Sequence, residues 1–308
     1  MGRVGVDLYP EQIGATLAEV RSFAKSLGGS PTNVAVAAAR LGHRAAVITK
    51  VGEDGFGDYV RQALAGFGVD VRWVGTEPGL RTPVVFCEIH PPDRFPLLFY
   101  REPKAPDMTL RTDELDLEAI AAVPLFWTTG TGLADEPSRA ATLAALDARG
   151  RRDITVHDLD YRPSFWSSAE EARRWAGEAL RRATVVVGNI DEVEMATGLR
   201  DPREAAAALL AMGPRLSIVK RGSDGAYART ADEEASAPAV RVRVLNGLGA
   251  GDAFGGALCD GLLAGWPLAR TLAIANAAGA IVASRLACAD AMPTLAEIEA
   301  ILRSEVSA

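Results

Sequence analysis

Cysteine is scarce in this sequence, and the three that occur, Cys87, Cys259 and Cys288, form no C-x-x-C pair. Three cysteines are too few, and an odd number, for a disulfide framework, and without a C-x-x-C pair they exclude a cysteine-rich zinc module. It is typical of a reducing compartment, so we expect a cytoplasmic protein. The chain also has three histidines, and their spacing forms no metal-binding pattern.

A basic excess is absent as well. The 308 residues include 33 lysines and arginines against 40 acidic residues, a formal net charge of −7. Nucleic acids and anionic membranes are bound by basic faces, so we expect neither as a partner. Asn276 and Arg285 interrupt the apolar stretch 272–289, and Arg3 and Asp7 break any apolar start. These interruptions argue against a membrane span and against a signal peptide.

Two common nucleotide-binding motifs are missing. The sequence contains no G-x-x-x-x-G-K-[ST], and no G-x-G-x-x-G follows the first apolar run. The first absence excludes a P-loop enzyme, and the second argues against a Rossmann dehydrogenase.

Short β-rich runs alternate with alanine-rich helical segments. The strand-like runs are 45–51, 154–158, 184–187 and 216–219, and the helical segments are 34–41, 137–148, 170–182, 203–211, 252–263, 268–284 and 295–302. Near-continuous apolar strands separated by helices predict an α/β fold with a parallel sheet covered on both faces. Residues 69–101 are β-rich without helices, which indicates either a peripheral hairpin or a lid over a ligand cleft.

The segment Gly249-Ala250-Gly251-Asp252 lies between the strand-like run 240–245 and a helix. Glycine lets backbone N–H groups approach a ligand, and a helix N-terminus favours an anion. A carboxylate at that place repels phosphate, but it suits a base that takes a proton from an attacking hydroxyl. The alternative is that Asp252 is a plain helix cap.

Two further glycine-rich turns accompany this segment, LGGSPTNVA at 27–35 and GEDGFG at 52–57. In order and spacing the three resemble the PfkB carbohydrate kinases, the ribokinase-like family, over essentially the whole chain. The resemblance implies a three-layer α/β/α sandwich with a mostly parallel central sheet and a small β-sheet lid. It also implies one kinase domain over residues 1–308, with lid segments at about 7–22 and 70–104.

The resemblance assigns roles on the sugar side of the reaction. Asp252 is the implied catalytic base, and the backbone N–H groups of Gly249, Ala250 and Gly251 stabilise the transferred phosphoryl group. The implied sugar contacts are Asp7, Gly28, Gly29 and Asn33.

On the nucleotide side the resemblance implies ATP and Mg²⁺. Asn189-Ile190-Asp191-Glu192 matches the family's N-x-x-E, in which Glu192 acts on the metal through bound water. Taken alone, this tetrapeptide is more typical of an ordinary helix start than of a metal site. The implied nucleotide contacts are Asn189, Lys220, Gly222, Gly225, Asn276 and Gly279.

Segments 2–10, 99–106, 157–166 and 245–249 resemble the branch of the family that phosphorylates the C6 hydroxyl of 5-dehydro-2-deoxygluconate. A sugar acid carries a carboxylate, so its pocket needs added positive charge. Arg162 is the first candidate, followed by Arg101 and Lys104, each of which could instead be a solvated surface cation. The alternatives are a 2-keto-3-deoxygluconate kinase or another sugar kinase of the family, and a sugar-binding regulator without chemistry, which the intact Asp252 argues against.

Two departures from the family stand out. Relatives carry Asp and Thr where this chain has Asn246 and Gly247, and that Asp helps to hold a monovalent cation, so potassium dependence stays open. Only six residues precede Asp7, where relatives carry a full strand; either the strand is short or the native start lies upstream. A homodimer formed through the lid occurs in relatives and is also left open.

Overall fold

Three sets of β-strands and ten helices organise residues 1–306, the part of the chain that the computed structural model describes. The strands are β1 (Gly5–Pro10), β2 (Phe23–Gly28), β3 (Thr49–Gly52), β4 (Val74–Glu77), β5 (Val84–Cys87), β6 (Leu97–Tyr100), β7 (Leu125–Thr129), β8 (Ile154–Asp158), β9 (Val185–Asn189), β10 (Leu216–Lys220), β11 (Ala226–Arg229) and β12 (Glu234–Ala237). The helices are α1 (Ser30–Arg40), α2 (Gly55–Gly66), α3 (Leu117–Ala122), α4 (Ser138–Arg149), α5 (Ala169–Leu180), α6 (Ile190–Thr197), α7 (Pro202–Ala211), α8 (Ala250–Leu263), α9 (Leu268–Ala283) and α10 (Leu295–Val306).

The chain divides into two compact units. Unit 1 consists of Met1–Gly2, Met108–Ala239 and Gly261–Ala273. Unit 2 consists of Arg3–Asp107, Val240–Asp260 and the segment that begins at Ile274. The expected single domain with an inserted lid stays a prediction.

Unit 1 is built on a six-stranded sheet in the order β12-β11-β10-β9-β8-β7. Strands β7 to β10 are parallel, and β11 and β12 continue the sheet in antiparallel pairs. The register pairs Thr129 with Asp158 and Lys220 with Asn189. The carboxyl ends of the four parallel strands therefore bring polar residues to one edge of the sheet, where ligands of such sheets commonly bind.

Small side chains let the helices of unit 1 approach this sheet closely. Ala172 and Ala176 on α5 and Ala205 on α7 pack in one buried cluster with Val186 and Val219 of the strands. Burying such apolar surface is the main favourable contribution to folding, and it fixes the strand ends that carry the polar edge.

Unit 2 contains a four-stranded mixed sheet in the order β2-β1-β5-β6, called the small sheet below. Strands β1 and β5 are parallel, whereas β1–β2 and β5–β6 are antiparallel. Three of its strands come from the segments expected to form a lid, and β2 follows directly after the first of them. Strands β3 and β4 form a separate parallel pair.

Most sequence-based boundaries are confirmed to within a few residues, and the α/β class is confirmed. The strand expected at 240–245 is wrong, although Val240, Val242 and Val244 alternate with polar residues as a strand would. The backbone N–H groups of Leu245 and Asn246 donate instead to the carbonyl of Ala283 at the end of α9, at 2.8 and 3.1 Å. At the end of this run, the Leu245 N–H therefore bonds a helix end and not a neighbouring strand.

Among the described residues, no helix combines the length and the apolar character needed to cross a membrane.

Candidate functional site

The glycine segment at the start of α8 has the backbone that its sequence indicates. Gly249 has φ +82°, and a Cβ there would lie 2.6 Å from the Cys288 sulfur, so only glycine fits. Helix α8 begins at Ala250, which puts Asp252 in its first turn, half-buried. The N-terminal N–H groups of a helix of this length favour an anion close to the Asp252 carboxylate.

Asn33 connects α1 to this carboxylate. Helix α1 starts after Gly29, whose φ is +103°, and Asn33 is 2% exposed. The Asn33 Nδ2 group donates to Asp252 Oδ2 at 2.8 Å. The Asn33 Oδ1 atom is buried and has no hydrogen-bond partner in the protein. A buried acceptor without a partner costs free energy, so this oxygen is an exception among buried polar atoms.

Asp7 lies on β1, the strand of the small sheet that pairs with β2. A Cβ on Gly28 would lie 2.0 Å from Asp7 Oδ1, so the absent side chain of Gly28 makes room for this carboxylate. Desolvation raises the pKa of Asp7 to about 6, the positive charge of Arg3 opposes that shift, and the charge of Asp252 adds to it. Asp7 and Asp252 are therefore close enough to repel each other, and both are half-buried.

Arg101 is already engaged within unit 2. Its Nη2 lies 2.5 Å from Asp107 Oδ1, and these side chains are 11% and 1% exposed. Asp107 Oδ2 also accepts the backbone N–H of Val4 at 2.9 Å. Arg101 thus ties the end of the small sheet to the start of the chain, a structural role that competes with ligand binding. Lys104 lies half-buried on the same segment.

In unit 1, three buried carboxylates face two cations at the carboxyl edge of the parallel strands. Arg162 Nη2 lies 3.0 Å from Asp160 Oδ1, and Arg162 Nη1 lies 3.7 Å from Glu192 Oε1. Lys220 Nζ lies 3.5 Å from Asp158 Oδ2 and 4.0 Å from Glu192 Oε2. Burial raises the pKa of Glu192 to about 7, and the Lys220 charge opposes that shift. Burial likewise raises the pKa of Asp158.

The N-x-x-E segment is a helix start and part of this edge at once. Asn189 Oδ1 accepts the Glu192 N–H at 2.9 Å, and Glu192 Oε2 accepts the Asn189 N–H at 2.7 Å. This reciprocal capping box holds Glu192 toward the cations. Arg162, Asn189 and Glu192 also line one cavity of about 680 Å³ within unit 1.

The remaining residues expected on the nucleotide side belong to different units. Gly222 and Gly225 flank a tight turn after β10, and a Cβ on Gly225 would lie 2.0 Å from the Ala237 carbonyl oxygen. Asn276 and Gly279 lie on the part of α9 that belongs to unit 2, where Gly279 packs 3.0 Å from the Ala250 carbonyl oxygen, measured from its ideal Cβ. Gly225 and Gly279 therefore have packing roles, and nucleotide contact stays a prediction for all four.

The acidic edge of unit 1 fits a magnesium ion held with waters. Among residues 1–306, no three His, Cys, Asp or Glu side chains come together as a metal cage. Mg²⁺ usually keeps several waters and takes one or two carboxylates together with substrate phosphates. The buried pair Asp158 and Glu192 supplies carboxylates of that kind.

Asn246 does not fit as a ligand for a monovalent cation. Its Nδ2 group donates to the Leu286 carbonyl at 2.5 Å, and its Oδ1 accepts the Leu248 N–H at 3.0 Å. Asn246 is fully buried, so both ends of its amide are in use within the protein. A cation needs free oxygen ligands, and this amide offers a donor instead.

Sequence reasoning missed four residues at these two places. Asp158 and Asp160 could have been found, since carboxylates at the carboxyl end of a parallel strand are a known signal. Tyr9 and Cys288 gave no local signal, because they are 279 positions apart and meet through the fold alone.

In unit 2 an aspartate in the first turn of a helix accepts a hydrogen bond from a buried amide, and in unit 1 charged side chains gather at the carboxyl ends of parallel strands. The chain belongs to the pfkB family of carbohydrate kinases, whose family model matches residues 1–295. It is therefore a carbohydrate kinase.

Similar proteins carry more specific names. A 5-dehydro-2-deoxygluconokinase of Shouchella clausii is 34% identical over 310 residues, covering 99% of this chain and 95% of the relative. Another protein of that name, from Photobacterium profundum, is 36% identical over 302 residues, covering 96% and 91%. The crystal structure of a fructokinase from Vibrio cholerae O395, in its fructose-, ADP- and calcium-bound form, matches with a TM-score of 0.84 and 27% identity, covering 98% of this chain and 97% of that one.

Proposed function

We propose that this kinase transfers the γ-phosphoryl group of ATP to the C6 hydroxyl of 5-dehydro-2-deoxygluconate. The relatives of that name support the substrate. The observation that carries the proposal is the buried Asn33 Oδ1, which lacks a partner while Asn33 Nδ2 holds Asp252. A sugar hydroxyl that donates to this oxygen would lie next to the carboxylate that takes the reacting proton.

Asp252 is the base in this proposal. It accepts the proton of the C6 hydroxyl as that oxygen attacks the γ-phosphorus and the bond to the β-phosphate oxygen breaks, leaving ADP. Asp7, Gly28 and Gly29 hold the sugar. The backbone N–H groups of residues 249–251 stabilise the charge on the transferred group, so positioning and electrostatics supply most of the acceleration.

ATP and Mg²⁺ are the proposed cosubstrate and cofactor, with support from the fructokinase that binds ADP and a divalent cation. Bound Mg²⁺ would neutralise phosphate charge. Glu192 would hold the ion through its water shell, and Asn189 and Lys220 would contact the phosphates. The proposed wider nucleotide contacts are Gly222, Gly225, Asn276 and Gly279.

Arg162 is the proposed partner of the sugar-acid carboxylate. Its Nη groups face Asp160 and Glu192, but its Nε is buried and has no hydrogen-bond partner. An N–H group left unsatisfied beside a cavity is a suitable donor to a carboxylate. Lys104 and Arg101 are second choices, and Arg101 is the weaker of the two because Asp107 already neutralises it.

The experiment is a coupled ADP-release assay with 5-dehydro-2-deoxygluconate, 2-keto-3-deoxygluconate, fructose and ribose, using wild type and Arg162→Lys. We expect the first substrate to give the highest kcat/KM, and the variant to raise KM for sugar acids about tenfold or more, because lysine loses the planar donor set. Arg173→Lys is the matched control, since Arg173 lines the same cavity and donates to the Met195 carbonyl. A preference for a neutral sugar would contradict both the substrate and the role of Arg162.

The same assay tests the alternatives. A preference for 2-keto-3-deoxygluconate would identify the runner-up substrate. Absence of ligand-stimulated ADP release would favour a sugar-binding regulator.

Two further parts of the proposal concern the cellular location and the oligomeric state of the protein. A cytoplasmic location is supported by the three free, buried cysteines. A homodimer through the small sheet is supported by Leu98 and Tyr100 on its outer strand β6, which are 46% and 60% exposed. Sedimentation of wild type and Tyr100→Glu tests the dimer, and a monomeric wild type would exclude it.

A further inference from the structure

Tyr9 is a buried residue of the small sheet that the mechanism above does not use. It lies on β1 two positions after Asp7 and is 1% exposed. Its hydroxyl donates to Asp7 Oδ2 at 3.1 Å and lies 2.7 Å from the Cys288 sulfur. A buried phenol needs such partners, and here one of them is a proposed sugar contact.

The direction of these two hydrogen bonds follows from the protons available. An ionised Asp7 can only accept, so the single Tyr9 hydroxyl proton goes to Asp7. Desolvation raises the pKa of the Cys288 thiol, which therefore keeps its proton and donates to the Tyr9 oxygen. The result is a chain of donors that runs from Cys288 through Tyr9 to Asp7.

Both ends of this chain lie close against glycines of the proposed site. Cys288 packs against Gly249, where a Cβ would come within 2.6 Å of its sulfur. Asp7 occupies the space left by Gly28, where a Cβ would come within 2.0 Å of Oδ1. The Tyr9 hydroxyl therefore bonds an Asp7 carboxylate that lies directly against Gly28, and this hydrogen bond favours one rotation of that carboxylate.

We propose that Tyr9 is a positioning residue, whose hydroxyl, anchored by Cys288, turns the Asp7 carboxylate toward the sugar hydroxyls. This inference rests on the proposed function, which makes Asp7 a sugar contact. Tyr9 itself touches no reacting atom. Its effect therefore belongs in the binding of sugar and in the ionisation of Asp7, and it leaves the phosphoryl-transfer step unchanged.

Several charged and titratable groups face Asp7. The charge of Arg3 and the hydrogen bond from Tyr9 lower its pKa, and the charge of Asp252 raises it. Tyr59, Cys87 and Cys288 interact with its charge from their own elements. Removing the Tyr9 hydroxyl takes away one of the two influences that keep Asp7 ionised.

The test is Tyr9→Phe in the full-length enzyme. We expect KM for 5-dehydro-2-deoxygluconate to rise about tenfold, as for the loss of a hydrogen bond to a charged group, with KM for ATP unchanged and kcat within about threefold. The acidic limb of kcat/KM for the sugar acid should move to higher pH, because an Asp7 with a higher pKa is protonated sooner as the pH falls.

Tyr227→Phe is the matched control. Its hydroxyl donates to Glu234 at 2.6 Å in unit 1, so this variant should change neither KM nor the acidic limb. Cys288→Ser keeps a donor to Tyr9 and should resemble wild type. An unchanged KM and pH limb in Tyr9→Phe would overturn the proposal, as would a loss of thermal stability with unchanged KM.

The variant Asp7→Asn distinguishes a failure of the Tyr9 inference from a failure of the proposed function on which it rests. If Asp7→Asn raises KM for the sugar acid and Tyr9→Phe does not, only the role of Tyr9 fails. If neither variant changes KM for any sugar in the panel, the sugar-binding role of Asp7 fails, and the inference fails with it.

Discussion

Units 1 and 2 each gather carboxylates, but they treat the negative charge differently. In unit 1, Asp158, Asp160 and Glu192 are 2–4% exposed and lie within 4.0 Å of Arg162 or Lys220. In unit 2, Asp7 and Asp252 are half-buried, and the groups bonded to them include a phenol and an amide.

This difference separates two tasks. Carboxylates balanced by internal cations keep a fixed charge pattern, which suits the binding of phosphate and a metal ion. Desolvation raises the pKa of carboxylates in both units, to about 6 for Asp7 and to about 7 for Glu192, so proton affinity does not distinguish the units. What differs is the partner: the Asp7 and Asp252 carboxylates accept hydrogen bonds from the neutral donors Tyr9 and Asn33. They suit the recognition of hydroxyl groups and the acceptance of a proton.

The largest expected effect distinguishes the two units by chemistry. Asp252→Asn should lower kcat about 10² to 10⁴-fold, the range for a positioned base, while ATP binding and thermal stability stay close to wild type. The new amide oxygen can still accept the hydrogen bond from Asn33, so the geometry survives. Coupled ADP release and calorimetric ATP titration measure both properties, and near-normal turnover would remove Asp252 as the base.

The next prediction compares stability. Asp7→Asn should stabilise the protein at pH 8 by about 1–3 kcal/mol, because ionised Asp7 has a folded pKa near 6 against an ordinary 3.8 and so opposes folding. The free-energy cost of ionising Asp7 in the folded protein develops as pH rises from about 4 to 6, so the stabilisation by Asp7→Asn should be smaller at pH 5 than at pH 8.

The variant Asp160→Asn in unit 1 should have the opposite effect and destabilise the protein by about 3 kcal/mol, since Arg162 and Thr131 lose a charged partner. Urea unfolding at pH 5 and pH 8 measures the free energy of unfolding of both variants. If both variants changed it in the same direction, the proposed difference between the two units would be wrong.

A pair of glycine variants gives a smaller and more selective effect. Gly28→Ala should displace Asp7 and raise KM for sugar about 10-fold, with a modest change in stability, because the clash is with a side chain. Gly225→Ala meets the Ala237 backbone and has φ +86°, so it should lower stability by about 2 kcal/mol and leave KM for sugar unchanged. Steady-state kinetics beside thermal unfolding compares them. Indistinguishable profiles would argue that both glycines are only structural.

The smallest expected effect concerns a cation in unit 2. The two ends of the Asn246 amide bond the Leu286 carbonyl and the Leu248 N–H, so we expect turnover in K⁺ and in Na⁺ to agree within about twofold, which corresponds to less than about 0.5 kcal/mol in the activation free energy. The coupled assay in matched chloride buffers measures this. Strong activation by K⁺ would mean that an ion binds elsewhere in the site.

Periodicity and turn chemistry predicted much of the fold. The run 154–158 matches β8, and the segment 137–148 is α4 shifted by one residue. Glycine at 249 was placed at a turn into a helix, as its φ of +82° requires. The run 240–245 failed because an alternating pattern states which side chains are apolar and leaves the backbone partner undefined.

The candidate sites were predicted less evenly. Asp252 and Asn33 were named because local motifs carry them, yet their 2.8 Å contact joins residues 219 positions apart. Arg162 was expected to be available for a substrate, and it also holds Asp160 and faces Glu192. Whether a charged residue is available to a ligand depends on its neighbours in space, which no local pattern contains.

The sequence by itself determined the class of fold, several of its helices and strands, and the glycine turn at 249 that precedes α8. These are local properties, set by backbone conformation and by the residue type itself. Only the tertiary structure decided that the Tyr9 hydroxyl contacts both Cys288 and Asp7. It also decided that the Asn33 Oδ1 atom has no hydrogen-bond partner while Asn33 Nδ2 bonds Asp252. Hydrogen bonds form within about 3 Å, and residues more than 200 positions apart reach that distance only when the apolar core brings their segments together.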